Sequence, residues 1–331
     1  MAKTLIIGGG GFMGGHLARA LAQEGEQIDI ADNFSRAVRD PFLEEIEATK
    51  GVSLIDADIL DEATVSLLGD DYAIIYQFAA IIGVRHVMER PYEVLHKNVL
   101  IQAKAIEFAK QQKALERFIF SSTSEIYAGS LKYMDMPIPT PEHVPIALTE
   151  LDHPRTSYML SKIYGEAMCH QSDLPFTIVR PHNVYGPRMG MVHVLPELIM
   201  KARTLPQGAR FEVVSVDHRR AFCFIDDAVE ILRSLASNPK ATGGIFNLGN
   251  QEQEMSIGEV AHIILEATGR SDLQMVPLPE TPGSPARRCP DMTQTIDLIG
   301  CRPMLGLKEG IQRTCKWYTD NVFLGGGVSA I

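Results

Sequence analysis

The sequence predicts an α/β fold built on a doubly wound parallel sheet, with a smaller α/β region attached to it. Short β-branched and apolar runs alternate with segments of helical period through the first half of the chain, as in consecutive βαβ units. These runs are continuously apolar, which is typical of strands covered by helices on both faces of a sheet. The expected strands are residues 4–7, 28–31, 52–55, 73–78, 117–121 and 176–180.

The segments between these strands are predicted in order. An amphipathic helix over residues 14–24 follows the first strand, and a longer helix over 92–112 precedes the fifth. Residues 133–153 contain four prolines, which predicts a loop crossing the surface, because proline lacks the amide hydrogen that helices and sheets use. A helix over 158–171 leads to the sixth strand. Beyond Pro181 the elements are shorter and proline is frequent, so we expect a smaller, loop-rich region built on the first.

Composition excludes several classes of protein. The chain has 331 residues, of which 45% are apolar and 22% are charged, as in a globular protein of one large domain or two closely associated ones. It has 31 Lys and Arg against 41 Asp and Glu, a net charge of −10. We therefore expect no nucleic-acid partner, because binding to DNA or RNA rests on clustered cations. A small anionic ligand remains compatible with this charge, since it needs only a local positive cluster.

The cysteines and the apolar runs favour a cytoplasmic location. There are five cysteines, an odd number, and no pair has CxxC spacing. They are interpreted as free thiols of a reducing compartment rather than as disulfides or a zinc site, so no metal is expected. No apolar run approaches the about 20 residues that span a bilayer. The short run at 5–7 leaves no room for a signal peptide before it, and we expect no membrane partner.

A glycine-rich segment joins the first strand to the first helix. Gly8, Gly11 and Gly14 stand where the backbone must turn tightly and come close to a pyrophosphate. The N-terminus of the following helix offers free N–H groups and a partial positive charge to such an anion. The pattern alone could be a simple turn, but its position between a strand and a helix favours a dinucleotide site.

The second and third strands support this interpretation. The second strand leads to Asp32, where a carboxylate can accept hydrogen bonds from ribose hydroxyls and repel a 2′-phosphate. The third leads to Asp58, which is well placed to reach the adenine. The sequence therefore predicts NAD as the cofactor, although the nearby Arg36 keeps NADP open.

Tyr158 and Lys162 are four residues apart and share one face of the predicted helix. A tyrosine with a pKa of about 10 is a poor base at neutral pH. We expect the adjacent ammonium group and a positively charged nicotinamide to lower the pKa of Tyr158. Tyr158 could then take a proton from a sugar hydroxyl while hydride passes to NAD. By itself the pair could also be an ordinary surface neighbour pair.

A polar run ends the fifth strand, and ligands of doubly wound folds bind at such strand ends. The hydroxyl of Thr123 could bind the oxygen that is oxidised, and Glu125 with Ser124 could move a second proton. The alternative is a polar turn that caps the sheet. The glycine loop and the pair Tyr158/Lys162 favour the catalytic interpretation.

Together these residues resemble the extended short-chain dehydrogenase/reductase family, in its branch of NAD-dependent nucleotide-sugar epimerases, dehydratases and decarboxylases. The resemblance covers nearly the whole chain and continues in the segments 180–187 and 219–227. It implies a Rossmann-type sheet, transient oxidation of the sugar at C4, and a homodimer formed by the helices at 92–112 and 158–171. The apolar positions of those helices could equally belong to an ordinary core. The residues assigned to the cofactor are Gly8, Gly11, Phe12, Met13, Gly14, Asp32, Asn33, Asp58, Ile59, Phe78, Ala79, Ala80, Asn98, Tyr158 and Lys162.

The resemblance also implies a binding site for the diphosphate of a nucleotide-sugar substrate. The residues expected to bind it are Asn183, Arg220 and an arginine of the pair Arg287 and Arg288. Guanidinium forks match phosphate oxygens, so a local positive pocket agrees with the negative net charge. Arg287 and Arg288 could instead be solvated at the surface. We expect residues 1–181 with about 221–248 to form the NAD-binding domain. Residues 182–220 and 249–331 are expected to form the nucleotide-sugar-binding region.

The reaction is left open among three. The run Thr123, Ser124, Glu125 is similar to that of UDP-glucuronate decarboxylases, but also to that of GDP-mannose 4,6-dehydratases. Simple 4-epimerases usually carry a serine-rich run there. The sequences of the segments 77–83 and 180–182 differ from those usual in decarboxylases. We expect a UDP-glucuronate decarboxylase-like enzyme first, then a UDP-sugar 4-epimerase, then an NDP-sugar 4,6-dehydratase. A non-catalytic dinucleotide-binding sensor is the alternative of a different class.

Overall fold

A seven-stranded parallel sheet forms the centre of the protein in a computed structural model, which describes residues 3–281 and 283–323. The strands predicted from sequence are all present, and each bound agrees within one residue. In chain order the strands are β1 (Lys3–Ile7), β2 (Gln27–Asp32), β3 (Val52–Asp56), β4 (Tyr72–Gln77), β5 (Arg117–Ser121), β6 (Phe176–Pro181), β7 (Val184–Tyr185), β8 (Arg210–Val214), β9 (Arg219–Ala221), β10 (Cys223–Phe224), β11 (Ile245–Leu248), β12 (Glu254–Ser256), β13 (Gln274–Leu278) and β14 (Arg287–Arg288).

Helices cover the sheet and build the smaller region. Proline begins α5 at its first position, where the missing N–H would have no partner in any case. A capping box of Ser256 and Glu259 begins α10, and Gly269 in the left-handed region ends it. In chain order the α-helices are α1 (Phe12–Gln23), α2 (Pro41–Glu47), α3 (Glu62–Val65), α4 (Val84–Glu89), α5 (Pro91–Lys110), α6 (Ala128–Tyr133), α7 (Thr156–His170), α8 (Val194–Thr204), α9 (Ile225–Ser237), α10 (Ile257–Thr268), α11 (Thr293–Ile299) and α12 (Leu307–Tyr318).

The strand order creates the crevice that the sequence predicts. The order is β11-β6-β5-β4-β1-β2-β3, and every neighbouring pair is parallel. The chain runs outward from β1 to β3 and then resumes at β4, on the other side of β1. Such a reversal opens a crevice between the carboxyl ends of β1 and β4, where open α/β sheets bind ligands. The prediction of a doubly wound, Rossmann-type sheet is confirmed.

Alternate residues of the strands feed two core clusters, one on each face of the sheet. In β1, Leu5 and Ile7 pack in the cluster that includes residues of α5 and α7, whereas Ile6 packs in the cluster that includes residues of α1 and α9. The second of these continues without interruption into the smaller region, through Phe211 of β8 and Ile311 of α12. The smaller region is therefore packed on the sheet through shared apolar side chains.

The smaller region contains short sheets of its own. Strand β9 pairs with β12 and β14, and β8 pairs with β13. The strand β11 lies within the segment 221–248 and completes the central sheet beside β6. The interleaved division into two regions remains a prediction, and its last residues, 324–331, lie outside the described part of the chain.

The proline-rich loop differs in one respect from its prediction. Residues 134–155 contain no helix or strand, as expected, but the loop does not lie wholly at the surface. Thr140 and Glu142 are buried, and Glu142 accepts a hydrogen bond of 2.7 Å from the backbone N–H of Asn247. The loop is thus fastened to the end of the sheet.

Candidate active site

A cavity of about 940 Å³ opens at the carboxyl ends of β1 and β4. The glycine loop, Asp32 and Asp58 line it, and so do Tyr158 and Arg220. A cavity of this size, at the place where the strand order reverses, is typical of a site for a cofactor and a substrate. The cavity therefore joins the residues predicted to bind the dinucleotide to residues of the smaller region.

The glycine loop is a cradle that side chains would fill. Gly8 has φ of +79°, and a Cβ there would lie 2.6 Å from the backbone nitrogen of Ala79. A Cβ on Gly14 would lie 2.6 Å from Cα of Gly9. Gly11 precedes α1 and supplies no side-chain cap, so the first-turn amides at Phe12 and Met13 stay open to an anion on the cavity side. This cradle fits the pyrophosphate of a dinucleotide.

Carboxylates stand at the far end of the cradle. Asp32 accepts hydrogen bonds from the backbone N–H of Gly10 at 3.0 Å and of Phe34 at 2.9 Å. Desolvation raises the pKa of Asp32 from its usual value, although these amides oppose the rise. Asn33 donates a hydrogen bond of 3.0 Å to Asp58, which fixes the second carboxylate. These acceptors suit ribose hydroxyls and the adenine, as the sequence predicts.

The remaining predicted cofactor residues divide into two groups. Phe78, Ala79, Ala80 and Ile59 line the cavity. Asn98 does not: its amide receives a hydrogen bond of 2.7 Å from the N–H of Ile81 and donates one of 3.0 Å to the carbonyl of Ile81. Asn98 is thus occupied in shaping the segment after β4.

Thr123, Tyr158 and Lys162 meet where β5 ends against α7. Lys162 is buried and donates a hydrogen bond of 2.7 Å to the carbonyl of Ser121, so it is held by the strand. Its Nζ lies 5.9 Å from the centroid of the Tyr158 ring. Burial lowers the pKa of Lys162 from 10.5 to about 8, although Cys169 and Glu166 oppose the fall.

The expected lowering of the Tyr158 pKa is not found in this structure. Desolvation raises the pKa of Tyr158 well above 10 and outweighs the opposing effect of the neighbouring Thr123 hydroxyl. The nearby cation that lowers it is Arg36, not Lys162. The physical reason is that Lys162 is drawn to Ser121 while the tyrosine hydroxyl is removed from bulk water.

A buried ion pair holds α7 against the sheet. Arg180 of β6 donates two hydrogen bonds to Glu166 of α7, at 2.9 and 2.7 Å. Ser122, next to the end of β5, donates a third to Glu166 at 2.6 Å. Glu166 lies one helical turn after Lys162, so the pair fixes the helix that carries Tyr158 and Lys162.

Glu125 lines the cavity between two arginines. Arg288 donates a hydrogen bond of 2.8 Å to Glu125, and Arg155 lies 3.9 Å from the same oxygen. Desolvation raises the pKa of Glu125, but Arg288 and Arg155 outweigh it and lower the pKa overall. Glu125 is thus held in its ionised form. Ser124 is buried behind it, with Oγ 3.4 Å from Arg288, and does not line the cavity.

The residues predicted to bind the diphosphate do not all line the cavity. Arg220 and Arg288 line the cavity, as does Asn183, whose side chain donates a hydrogen bond of 2.9 Å to the carbonyl of Ala221. Arg287 does not, because neighbouring residues of β14 face opposite sides. Arg287 is instead exposed and forms two hydrogen bonds with Glu254, at 2.7 and 2.8 Å. Of this pair, the structure therefore brings Arg288 to the cavity and not Arg287.

Within residues 3–281 and 283–323, the positive charge of Arg220 forms no ion pair with a carboxylate. It donates hydrogen bonds to Ser284 Oγ at 2.9 Å and to the carbonyl of Pro285 at 2.7 Å, both neutral acceptors. Burial and the neighbouring Arg288 lower the pKa of Arg220 to about 10. The group is suited to bind an anion such as a diphosphate.

A second buried ion pair joins the glycine loop to the smaller region. Arg188, which follows β7, is fully buried and donates a hydrogen bond of 2.6 Å to Asp40, at the N-cap of α2. It also donates one of 3.1 Å to the carbonyl of Gly11 and one of 3.3 Å to that of Val38. The glycine loop is thus supported by a residue outside the segment 1–181.

Sequence reasoning missed Arg155 as a lining residue and did not assign Arg36 to the catalytic end. Arg155 lies three residues before Tyr158, one helical turn away, and this spacing is a signal that the sequence contains. Arg36 lies near enough to Tyr158 and His193 to affect their pKa values. That proximity depends on the fold and leaves no local pattern.

The described residues contain neither a metal-binding cluster nor a membrane-spanning helix. No group of three or more His, Cys, Asp or Glu is placed to hold a metal ion in residues 3–281 and 283–323. In the same part of the chain no helix combines the length and hydrophobicity needed to cross a membrane.

Comparisons with known proteins agree with this geometry. A model of the NAD dependent epimerase/dehydratase family matches residues 4–249. UDP-N-acetyl-alpha-D-glucosaminuronate decarboxylase of Bacillus cytotoxicus is 30% identical, over 96% of this chain and 98% of the relative. UDP-glucuronic acid decarboxylase 1 of Xenopus tropicalis is 29% identical, over 96% of this chain and 72% of the relative. The structure of the epimerase Mth375 from Methanothermobacter thermautotrophicus superposes with a TM-score of 0.85 at 25% identity, over 98% of this chain and 94% of that one.

Proposed function

The chain belongs to the NAD dependent epimerase/dehydratase family, and on that premise we propose that it is a decarboxylase of UDP-linked uronic acids. The family makes it an NAD-dependent enzyme that modifies nucleotide-linked sugars. The observation that carries the finer proposal is the ion pair of Glu125 and Arg288 beside Thr123 and Tyr158. Two relatives that match over nearly the whole of this chain are named as decarboxylases of UDP-linked uronic acids, which supports it.

The glycine cradle, Asp32 and Asp58 would hold the cofactor. When bound, NAD supplies the acceptor for a hydride from C4 of the sugar and the donor that returns it. Tyr158 would take the proton of the C4 hydroxyl as a phenolate, which Arg36 and the positive charge of bound NAD would favour. Thr123, which lines the cavity with Tyr158, would orient the C4 oxygen. Lys162 would add positive charge to this end of the cavity, because its Nζ is fixed on Ser121.

Oxidation at C4 prepares the loss of carbon dioxide. A carboxylate at C6 then stands β to a ketone, and its bonding electrons can move into the carbonyl when carbon dioxide leaves. Arg220, with Asn183, would hold the diphosphate so that C4 stays at Tyr158. Because Glu125 is ionised, the proton that C5 gains would come through a water molecule held by Glu125 and Arg288.

The test is product analysis by NMR. Purified enzyme is incubated with UDP-glucuronate and, separately, with UDP-N-acetylglucosaminuronate, and carbon dioxide is measured in parallel. We expect carbon dioxide and a UDP-linked pentose from at least one of them. Inversion at C4 with no carbon dioxide would identify a UDP-sugar 4-epimerase, and a 4-keto-6-deoxy product from a neutral NDP-hexose would identify a 4,6-dehydratase. No product from any of these sugars, with NAD bound, would favour the dinucleotide-binding sensor.

We also propose a homodimer formed through α5 and α7, which pack side by side on one face of the sheet. Three large apolar or aromatic side chains of these helices, Tyr92, Leu100 and Tyr164, are exposed in the single chain. Burying them against a second copy would remove apolar area from water. Light scattering should give a mass in solution of twice the chain mass. In Tyr164→Asp the measured mass should shift towards that of a single chain.

A cytoplasmic location is proposed from the thiols. Five free cysteines are described, and four of them are buried. Unpaired thiols of this kind are typical of a reducing compartment. Fractionation of cells that express the native protein should recover it with cytoplasmic markers.

A further inference from the structure

Three arginines surround one carboxylate at the sugar end of the cavity. Arg288 lies 2.8 Å and Arg155 lies 3.9 Å from Oε1 of Glu125, and Arg220 is close enough to lower the pKa of that carboxyl as well. The site therefore carries two positive charges in excess. A diphosphate needs such charge, but the three guanidinium groups are not engaged in the same way.

The guanidinium groups of Arg288 and Arg220 both form hydrogen bonds within the protein. Arg288 is paired with Glu125 through Nη1, which neutralises its charge locally. Arg220 is fixed by Ser284 and Pro285, with its charge free for the diphosphate under the proposed function.

Arg155 is the uncommitted member of the group. Its guanidinium forms no side-chain hydrogen bond within residues 3–281 and 283–323, and the 3.9 Å approach to Glu125 is its one ion-pair contact there. The side chain is 22% exposed and lines the cavity, so it is partly desolvated and accessible from within. A guanidinium in this state is suited to form charge-assisted hydrogen bonds with an anion.

The position of Arg155 points to the part of the substrate that it would contact. It stands at the N-cap of α7, one helical turn before Tyr158, and Glu125 lies on the same side of the cavity. If Tyr158 acts at the C4 oxygen, the substituent on C5 is the neighbouring part of the sugar. In a uronic acid this substituent is a carboxylate.

We propose that Arg155 binds the sugar carboxylate and so selects uronic acids over neutral hexoses. The inference rests on the proposed function, because it places C4 at Tyr158. The charges agree: Arg288 and Glu125 neutralise each other, Arg220 serves the diphosphate, and Arg155 leaves one positive charge for one carboxylate.

This role predicts a particular kinetic signature. The carboxylate is charged in the bound substrate, and its negative charge moves towards the C4 oxygen as carbon dioxide leaves. An arginine on the carboxylate therefore stabilises the bound substrate at least as much as the transition state for this step. Its loss should raise KM while kcat stays unchanged or rises.

The test compares Arg155→Met with Arg155→Lys, using Arg302→Met as the matched control. Arg302 is exposed and does not line the cavity. We expect Arg155→Met to raise KM for UDP-glucuronate about 10- to 100-fold, as for the loss of hydrogen bonds to a charged group. Its affinity for UDP-glucose and for NAD, measured by calorimetry, should stay at the wild-type value. Arg155→Lys should recover part of the loss, and Arg302→Met should change nothing.

Other outcomes separate this inference from the proposed function. An equal loss of affinity for UDP-glucose and UDP-glucuronate, or no change for either, would overturn the role of Arg155 while decarboxylation by the wild type could stand. If the wild type releases no carbon dioxide, the proposed function fails. The binding measurements then still decide whether Arg155 binds the sugar carboxylate. Tighter binding of UDP-glucuronate than UDP-glucose, abolished in Arg155→Met, would support the inference, and absence of that preference in the wild type would overturn it. Circular dichroism and NAD binding establish that each variant is folded.

Discussion

Lys162 occupies a place where its charge destabilises the folded protein. Its side chain is buried, and burial lowers its pKa from 10.5 to about 8, against the opposing effects of Cys169 and Glu166. The difference between the two pKa values corresponds to about 3 kcal/mol of unfolding free energy, at about 1.4 kcal/mol per pH unit. The catalytic helix therefore carries an electrostatic cost that a neutral side chain would remove.

The pH dependence fixes the sign of this effect. Below about pH 8 Lys162 is charged in both the folded and the unfolded chain, and the folded state bears the whole penalty. Between pH 8 and 10.5 the unfolded chain binds more protons than the folded one, so stability rises with pH. Above 10.5 the amine is neutral in both states and the penalty is gone. As the pH falls, this stability is lost between 10.5 and 8, and below 8 the full penalty applies.

Lys162→Met removes the charge and keeps an unbranched side chain. It also removes the hydrogen bond to Ser121, which offsets about 1 kcal/mol of the gain. We expect the NAD-free variant to be about 2 kcal/mol more stable than the wild type at pH 7, and this advantage to disappear towards pH 10.5. Urea unfolding followed by circular dichroism at a series of pH values measures both quantities.

A suitable control for this experiment is Lys50→Met, at an exposed turn position, which should show no such pH dependence. If Lys162→Met were less stable than the wild type at pH 7, the reasoning about burial would be wrong. It would also be wrong if the difference between the two proteins were the same at pH 7 and near pH 10.

Further predictions concern the base, the cradle and the buried ion pair. Tyr158→Phe should abolish turnover and leave NAD affinity intact, as measured by NMR assay and calorimetry, because only the hydroxyl is removed; retained turnover would refute its role as the base. Gly14→Ala should weaken NAD binding at least about tenfold, since its Cβ would lie 2.6 Å from Cα of Gly9; an unchanged dissociation constant would show that the loop does not form the cradle. Arg180→Met should lower the free energy of unfolding by about 3–5 kcal/mol by leaving Glu166 buried without its cation. Urea titration measures this loss, and Arg180→Met combined with Glu166→Gln should recover part of it; equal stability of the single variant and the wild type would contradict the argument.

The sheet was predictable because all of its strands except the edge strand β3 are largely buried. A run such as 117–121, in which every residue is buried, has no polar alternation to confuse it with a surface strand. Asp32 could be placed for the same reason, since it ends such a run. Asp58 follows β3, an edge strand that is only partly buried, and was placed by the alternation of strands and helices instead. The helices were less sharply bounded, and α7 begins two residues before Tyr158, at Thr156.

The site residues that were predicted wrongly depend on contacts between segments that are distant in sequence. Arg287 and Arg288 are equivalent in sequence, and only the pairing of β14 with β9 decides which one faces the cavity. The spacing of Tyr158 and Lys162 suggests a direct effect of one on the other. The lysine is turned aside by the carbonyl of Ser121, 41 residues earlier, and no local pattern encodes that contact.

The pair of Arg188 and Asp40 bears on how members of such a family can exchange parts. Each residue is fully or almost fully buried, and each is the other's counterion across the boundary between the segments predicted to bind cofactor and sugar. A transplanted substrate region that lacked the arginine would leave a buried carboxylate alone beneath the nucleotide loop, and a recipient that lacked the aspartate would leave the cation alone. Recombination at this boundary, in evolution or in the laboratory, therefore has to carry both residues together. New sugar specificities would be acquired by residue changes within the cavity rather than by shuffling whole segments.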